Sequence, residues 1–216
     1  MNKRKTRKFV ADTETTTTEF SDQETHVWAW AVQEIGLSQT KYGNNIDSLM
    51  QEFESNKGAY YFHNLAFDGE FIVSWLLQHG FEYSDNRLPM TFNTIISKLG
   101  QWYKVEIVYD TKGRKVISTE IFDSLKKLPF SVKNVANAFN IPEKKLTLDY
   151  DQAWKDPNWQ KDPNTKEYIS HDVTIVNKAL QATFEEGLDK MTIGGDAMFE
   201  YKNIVGKKNF DKLFPN

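Results

Sequence analysis

The sequence predicts an α/β layered domain in which strands and helices mix and the longest helix lies in the second half of the chain. Two patterns lead to this reading. Residues His26–Ile35 alternate with a period of two, as a half-buried strand does. From about 165 to 186, Ile169, Val173, Val176, Leu180 and Phe184 repeat at helical spacing on one face. The size agrees, since 216 residues suffice for one substantial domain and a short appendage.

Each element has its own local cause. Residues 8–14 form a short strand after a basic end, and 40–42 form a third strand closed by Gly43-Asn44-Asn45. A helix over 46–53 starts at Asn45 or Asp47. Residues 59–62 make a buried strand, and Phe67, Phe71, Trp75 and Leu76 mark a helix over 67–78 that Gly80 ends. Further strands fill 92–122, with Lys112-Gly113 turning a hairpin. Ser131 caps a helix to about Asn140, stopped by Pro142. The polar stretch 149–164 reads as a surface loop, and after Gly187 a last helix over 196–205 leads into a basic tail.

Composition excludes several chemistries. There is no cysteine, so disulfides, zinc–thiolate sites and cysteine nucleophiles are ruled out. No apolar run approaches the roughly 20 residues that span a bilayer, and no apolar core follows the basic start MNKRKTRKFV. A cytoplasmic protein without a membrane partner is expected. The net charge of −3 argues weakly against nucleic acid, but lysines cluster at 3–8, 126–127, 144–145 and 202–212. A carboxylate-lined metal site would itself lower the net charge.

The acids carry the chemistry. Asp12 and Glu14 leave the same face of their strand, about 7 Å apart, and would repel without a cation between them. Tyr168 and Asp172 project together from the long helix, about 100° from its apolar stripe. Asp68 sits at a strand-to-helix junction, where sites collect in α/β sheets. Taken singly, each has a plainer reading: exposed strand acids, a surface tyrosine beside a helix acid, a charged helix start. Together they fit phosphodiester hydrolysis by two divalent ions roughly 3.5–4 Å apart. Oxygen-only ligands select Mg²⁺ or Mn²⁺, and a tyrosine hydroxyl can orient the attacking water.

These motifs, Asp12-Thr13-Glu14, Asn64-Leu65-Ala66-Phe67-Asp68 and Tyr168-Ile169-Ser170-His171-Asp172, resemble the three exonuclease motifs of the DEDD superfamily, tyrosine branch. The segments YFHNLAFDGEFI, TFNTIISKLGQWY, IFDSLKKLPFSVKNVA and GLDKMTIGGDAMFEYKNI look very like the amino-terminal part of protein-primed family B DNA polymerases of small tailed phages. The resemblance runs from about Phe9 to Pro215. It implies an RNase H-like fold, a central mixed sheet flanked by helices. Residues 1–187 would be a 3′–5′ exonuclease domain and 188–216 a helical basic segment leading towards a polymerase palm.

The resemblance also assigns roles. Asp12, Glu14, Asp68 and Asp172 would ligate the two Mg²⁺ or Mn²⁺ ions, with Tyr168 orienting water and Lys145 holding a phosphate near the scissile bond. Thr15, Tyr61, His63, Asn64, Phe67, Ser124, Leu125 and Tyr150 would contact the last nucleotides of a single strand. For Tyr61 and Phe67 core packing is an equal alternative, and for Lys126 and Lys127 a solvated face is. The partner would be the 3′ end of single-stranded DNA, with a polymerase domain or priming protein further possibilities, in a bacterial host cell if a phage encodes the chain. A monomer is expected.

No D-x2-S-L-Y-P or D-T-D motif of a palm occurs, so no polymerase activity is expected from this sequence. It reads either as an excised domain or as a naturally short protein. Two other functions compete with a single-strand-specific DNA exonuclease. One is an exoribonuclease of the same superfamily, and the other is a single-strand-binding or docking module with weak cleavage.

Overall fold

In a computed structural model of the chain, which describes residues 6–16, 25–143, 153, 155–156 and 158–214, eight strands form one twisted sheet. The strands are β1 (Lys8–Thr15), β2 (Val27–Glu34), β3 (Thr40–Gly43), β4 (Ala59–Phe62), β5 (Glu82–Tyr83), β6 (Thr91–Ile96), β7 (Trp102–Lys112) and β8 (Lys115–Asp123). The helices are α1 (Ile46–Ser55), α2 (Leu65–Gln78), α3 (Val132–Ala138), α4 (Pro163–Glu185), α5 (Ile193–Val205) and α6 (Lys207–Leu213).

The strand order is β3-β2-β1-β4-β8-β7-β6-β5. At its centre β1, β4 and β8 run parallel, with Val10 beside Tyr61 and Phe62 beside Asp123. Their carboxyl ends therefore open on one edge. Antiparallel β2 and β3 extend the sheet on one side, and the β7–β8 hairpin with β6 extends it on the other.

Alternation along β1 divides the core into two layers. Phe9 and Ala11 pack with Leu49, Phe53, Ile72 and Leu76 beneath α1 and α2. Val10 faces the other way, against Ile169, Val173, Val176 and Leu180 of α4 and Val135 of α3. Each such side chain, fully buried, contributes about 1.5–3 kcal/mol, so the apolar stripe holds α4 across β1 and β2. Asp162 starts α4 by accepting from the amides of Asn164 at 3.2 Å and Thr165 at 3.1 Å, with Pro163 in the first turn.

The structure differs from the sequence reading in four places. Within the stretch 149–164, of which part lies outside the described residues, Ala153 and Trp159 are buried; Trp159 sets its ring edge-on to Trp28 at 5.8 Å. An aromatic pair brings that part of the chain into the core rather than leaving it a surface loop. The last predicted helix starts earlier, at Ile193, capped by the Thr192 hydroxyl that accepts from the Gly195 amide at 3.0 Å. The basic tail forms α6, separated from α5 by Gly206 at φ 77°, a conformation that suits glycine. The edge strand β5, of two residues, is too short to show any periodicity in the sequence.

Candidate active site

Asp12 and Glu14 lie near the carboxyl end of β1 and share the face of Val10, turned towards α4. The register between β1 and β2 shifts just after Glu14, a bulge of the kind that re-aims strand ends beside functional sites. From α4, Asp172 enters the same cleft, one residue before the buried Val173. The cleft has a volume of about 70 Å³, and Asp12, Asp172, His63 and Val132 are among its lining residues. Tyr168, one turn earlier on α4, is half-buried against the α4-side core.

Asp68 arrives from the opposite layer. It stands in the first turn of α2, buried, and its Oδ1 accepts from the Thr13 hydroxyl at 2.6 Å. Thr13 lies between the two acids in sequence but points to the other face, so it links the β1 pair to the α2 acid. Gly69 lets α2 come this close to the sheet: a Cβ there would lie 2.6 Å from the Trp102 ring.

Electrostatics supports the grouping. Burial, then the charges of Asp68, Glu14 and Asp172, push the Asp12 carboxyl well above the ordinary carboxylate value. Burial pushes Asp68 up to about 7, against the opposing effect of the Thr13 hydroxyl and of nearby backbone amides. Two acids that resist ionisation beside two more are a place where positive charge is stabilising. The donors are all carboxylate oxygens, which suit a hard divalent ion. Among the described residues, no three Asp, Glu or His side chains already converge around one point, so the acids are neighbours rather than a closed coordination shell.

The other residues singled out in the sequence surround this edge. His63 follows β4; its Nε2 donates to the Phe130 carbonyl at 2.7 Å, and its Nδ1 lies 3.0 Å from the Ser124 hydroxyl. Burial holds His63 below the ordinary imidazole value, against the opposing pull of the Phe130 bond and of Asp123 and Asp172. Ser124 is fully buried and donates to the Phe62 carbonyl at 3.0 Å, which makes it a strut between β4 and β8. Leu125 and Thr15 are half-buried, and the side chain of Asn64 is exposed.

The two aromatic candidates separate. Phe67 is 49% exposed on the first turn of α2, so a ring face is available for stacking. Tyr61 is 7% exposed, stacked on Phe122 at 5.4 Å and tilted against Phe184 at 5.6 Å, within the core. Lys127, read as a candidate for a solvated face, is instead buried: its Nζ pairs with Asp196 and donates to the Lys190 carbonyl at 2.7 Å. That pair ties the segment after Gly187 to the domain. Lys145 and Tyr150 lie outside the described residues.

Sequence reasoning missed Thr13 and Asp123. Thr13 carries a visible signal, a hydroxyl between two acids on a strand, whereas the role of Asp123 shows only in the fold. No helix among the described residues is long and apolar enough to cross a membrane.

Comparison with known proteins finds relatives over almost the whole chain. The family profile described as DNA polymerase type B, organellar and viral, matches residues 49–156, half of the chain. The DNA polymerase of Bacillus phage M2 is 45% identical over 208 residues, and that of Bacillus phage phi29 is 41% identical over 208. In both cases the match covers 96% of this chain and 36% of the relative, so the chain spans about a third of the length of these polymerases. Among solved structures, phi29 DNA polymerase complexed with primer-template DNA superposes with a TM-score of 0.90 at 39% identity, covering 98% of this chain and 37% of the other. The same polymerase complexed with single-stranded DNA gives 0.88 at 38% identity, covering 96% and 36%. The mixed sheet flanked by helices is an RNase H-like fold. From its sequence match and its fold, the chain belongs to the organellar and viral family of type B DNA polymerases.

Proposed function

We propose that the chain is a metal-dependent 3′–5′ exonuclease acting on single-stranded DNA ends, the proofreading activity of a protein-primed family B polymerase or of a stand-alone relative. The observation that carries this reading is that Asp12 and Asp172 line one cleft at the open edge of the parallel strands, with Glu14 on the same face of β1 and Asp68 bonded to the intervening Thr13. DNA in two of the phi29 polymerase structures supports the choice of DNA over RNA.

Asp12, Glu14, Asp68 and Asp172 would hold two Mg²⁺ or Mn²⁺ ions. Such ions supply a hydroxide near neutral pH and charge compensation at the leaving oxygen. The chain's own groups do the rest. Tyr168 would orient the attacking water through its hydroxyl; with an ordinary value of about 10 it is not suited to act as the base. Phe67 would stack on a terminal base, worth about 1–3 kcal/mol and indifferent to sequence. Neutral His63, with Asn64, would line the path of the strand, and Lys145 would hold a phosphate as a point charge.

The test is an oligonucleotide labelled at its 5′ end and incubated with the chain in Mg²⁺ or Mn²⁺. Stepwise shortening from the 3′ end is expected. The double substitution Asp12→Ala with Glu14→Ala should abolish shortening while single-strand binding persists. No shortening in either cation, or loss only from the 5′ end, would overturn the reading. Tight binding without cleavage would point to a binding module, and equal cleavage of a matched RNA to an exoribonuclease.

A further inference from the structure

Resting on that reading of the site, we infer that Asp123 is a positioning residue for the single strand: its carboxylate locks together the two segments that grip the nucleotides, without itself touching ions or substrate. Asp123 is the last residue of β8 and is 3% exposed. Its Oδ1 accepts from two backbone amides on different segments, Asn64 at 3.1 Å and Leu125 at 3.0 Å. Its Oδ2 lies 3.4 Å from the Lys126 ammonium. One buried carboxylate thus joins the loop after β4 to the turn after β8.

Asn64 explains why such a lock is needed. It adopts φ 77° and ψ 57°, a left-handed conformation that Asn tolerates better than most residues with a side chain, and it stands directly before α2 without a side-chain cap to hold it. The bond from its amide to Asp123 fixes that conformation, and with it the direction in which the exposed Asn64 side chain and Phe67, three residues on, leave the sheet. The neighbouring Ser124 adds a second tie to the same loop by donating to the Phe62 carbonyl. Asp68, by contrast, is held independently by the Thr13 hydroxyl at 2.6 Å. Loss of Asp123 should therefore fall mainly on the strand grip, and reach Asp68 only through the removal of one nearby negative charge.

The experiment compares Asp123→Ala, Asp123→Asn and the parent, each as the full chain. Anisotropy of a labelled single-stranded oligonucleotide in EDTA reads binding without turnover, and cleavage in Mn²⁺ gives kcat and KM. D123A should bind about tenfold more weakly and show a similar rise in KM with kcat nearly unchanged. D123N keeps one oxygen able to accept from both amides and should restore most of the binding. Should D123A not fold, Asp123→Ser takes its place, since its short hydroxyl cannot reach both amides. Hydrogen exchange should then be faster at Asn64 and Leu125. A fall in kcat with KM unchanged, D123N as weak as D123A, or unaltered exchange in D123S would overturn the inference. A parent that binds but never cleaves would defeat the exonuclease reading alone, because the binding and exchange comparisons would still decide the role of Asp123.

Discussion

Replacing Asp68 by Asn should make the metal-free protein more stable, and increasingly so as pH rises. The folded protein holds the Asp68 proton with a value of about 7, against 3.8 for an ordinary Asp. Because the folded form binds the proton more tightly, the stabilising effect is complete below about pH 4 and is lost as pH rises through about 7. Asn never ionises and so never suffers the loss, and its carbonyl oxygen can still accept from Thr13. The interval from 3.8 to about 7, at about 1.4 kcal/mol per pH unit, sets an upper bound of about 4 kcal/mol above neutrality. Urea unfolding followed by tryptophan fluorescence in EDTA measures the difference. It should widen by on the order of 2–3 kcal/mol between pH 5 and pH 8. Mn²⁺ should stabilise the parent more at pH 8 than at pH 5 and stabilise D68N less. A D68N advantage that stays constant or shrinks with pH would refute the burial of an acid at this position.

Two further substitutions test the frame around the site. Lys127→Met would leave the Asp196 carboxylate buried without its cation, and should cost about 3–5 kcal/mol in urea unfolding and open residues 188–205 to trypsin; a loss below 1 kcal/mol would contradict a buried pair. Asn177→Ala removes a bond to the Glu34 carbonyl at 3.0 Å and another from the Gly36 amide at 3.2 Å, which together clamp α4 to the β2–β3 turn. It should cost about 1–3 kcal/mol, read by the same method.

What could be read from the sequence was local and periodic. The pairing of Asp12 with Glu14 follows from a two-residue repeat, and that of Tyr168 with Asp172 from one helical turn, so neither needs tertiary knowledge. Asp68 was legible from its place between a strand and a helix. The burial of Lys127 was not, because its partner Asp196 lies 69 residues away and nothing near Lys127 announces it. Tyr61 shows the same limit: its strand was clear, but the stacking on Phe122 depends on β4 and β8 being neighbours. Trp159 sits in polar surroundings in sequence and reaches the core only because Trp28 waits for it. The sheet order, which brings the carboxyl ends of β1, β4 and β8 to one edge, is a long-range outcome that no single element encodes.

The hydroxyl of Thr13 has a mechanical meaning. Asp172 belongs to the layer on one side of the sheet and Asp68 to the layer on the other, and the two helices that carry them do not need to touch. Their spacing is therefore gauged by the thickness of β1 itself, a central strand paired on both sides. A substitution that lets α4 drift should displace Asp172 while Asp68 keeps its station beside Thr13, and the reverse should hold for α2. The site can thus lose one wall at a time, and the two kinds of damage should be separable by where the remaining carboxylates are found.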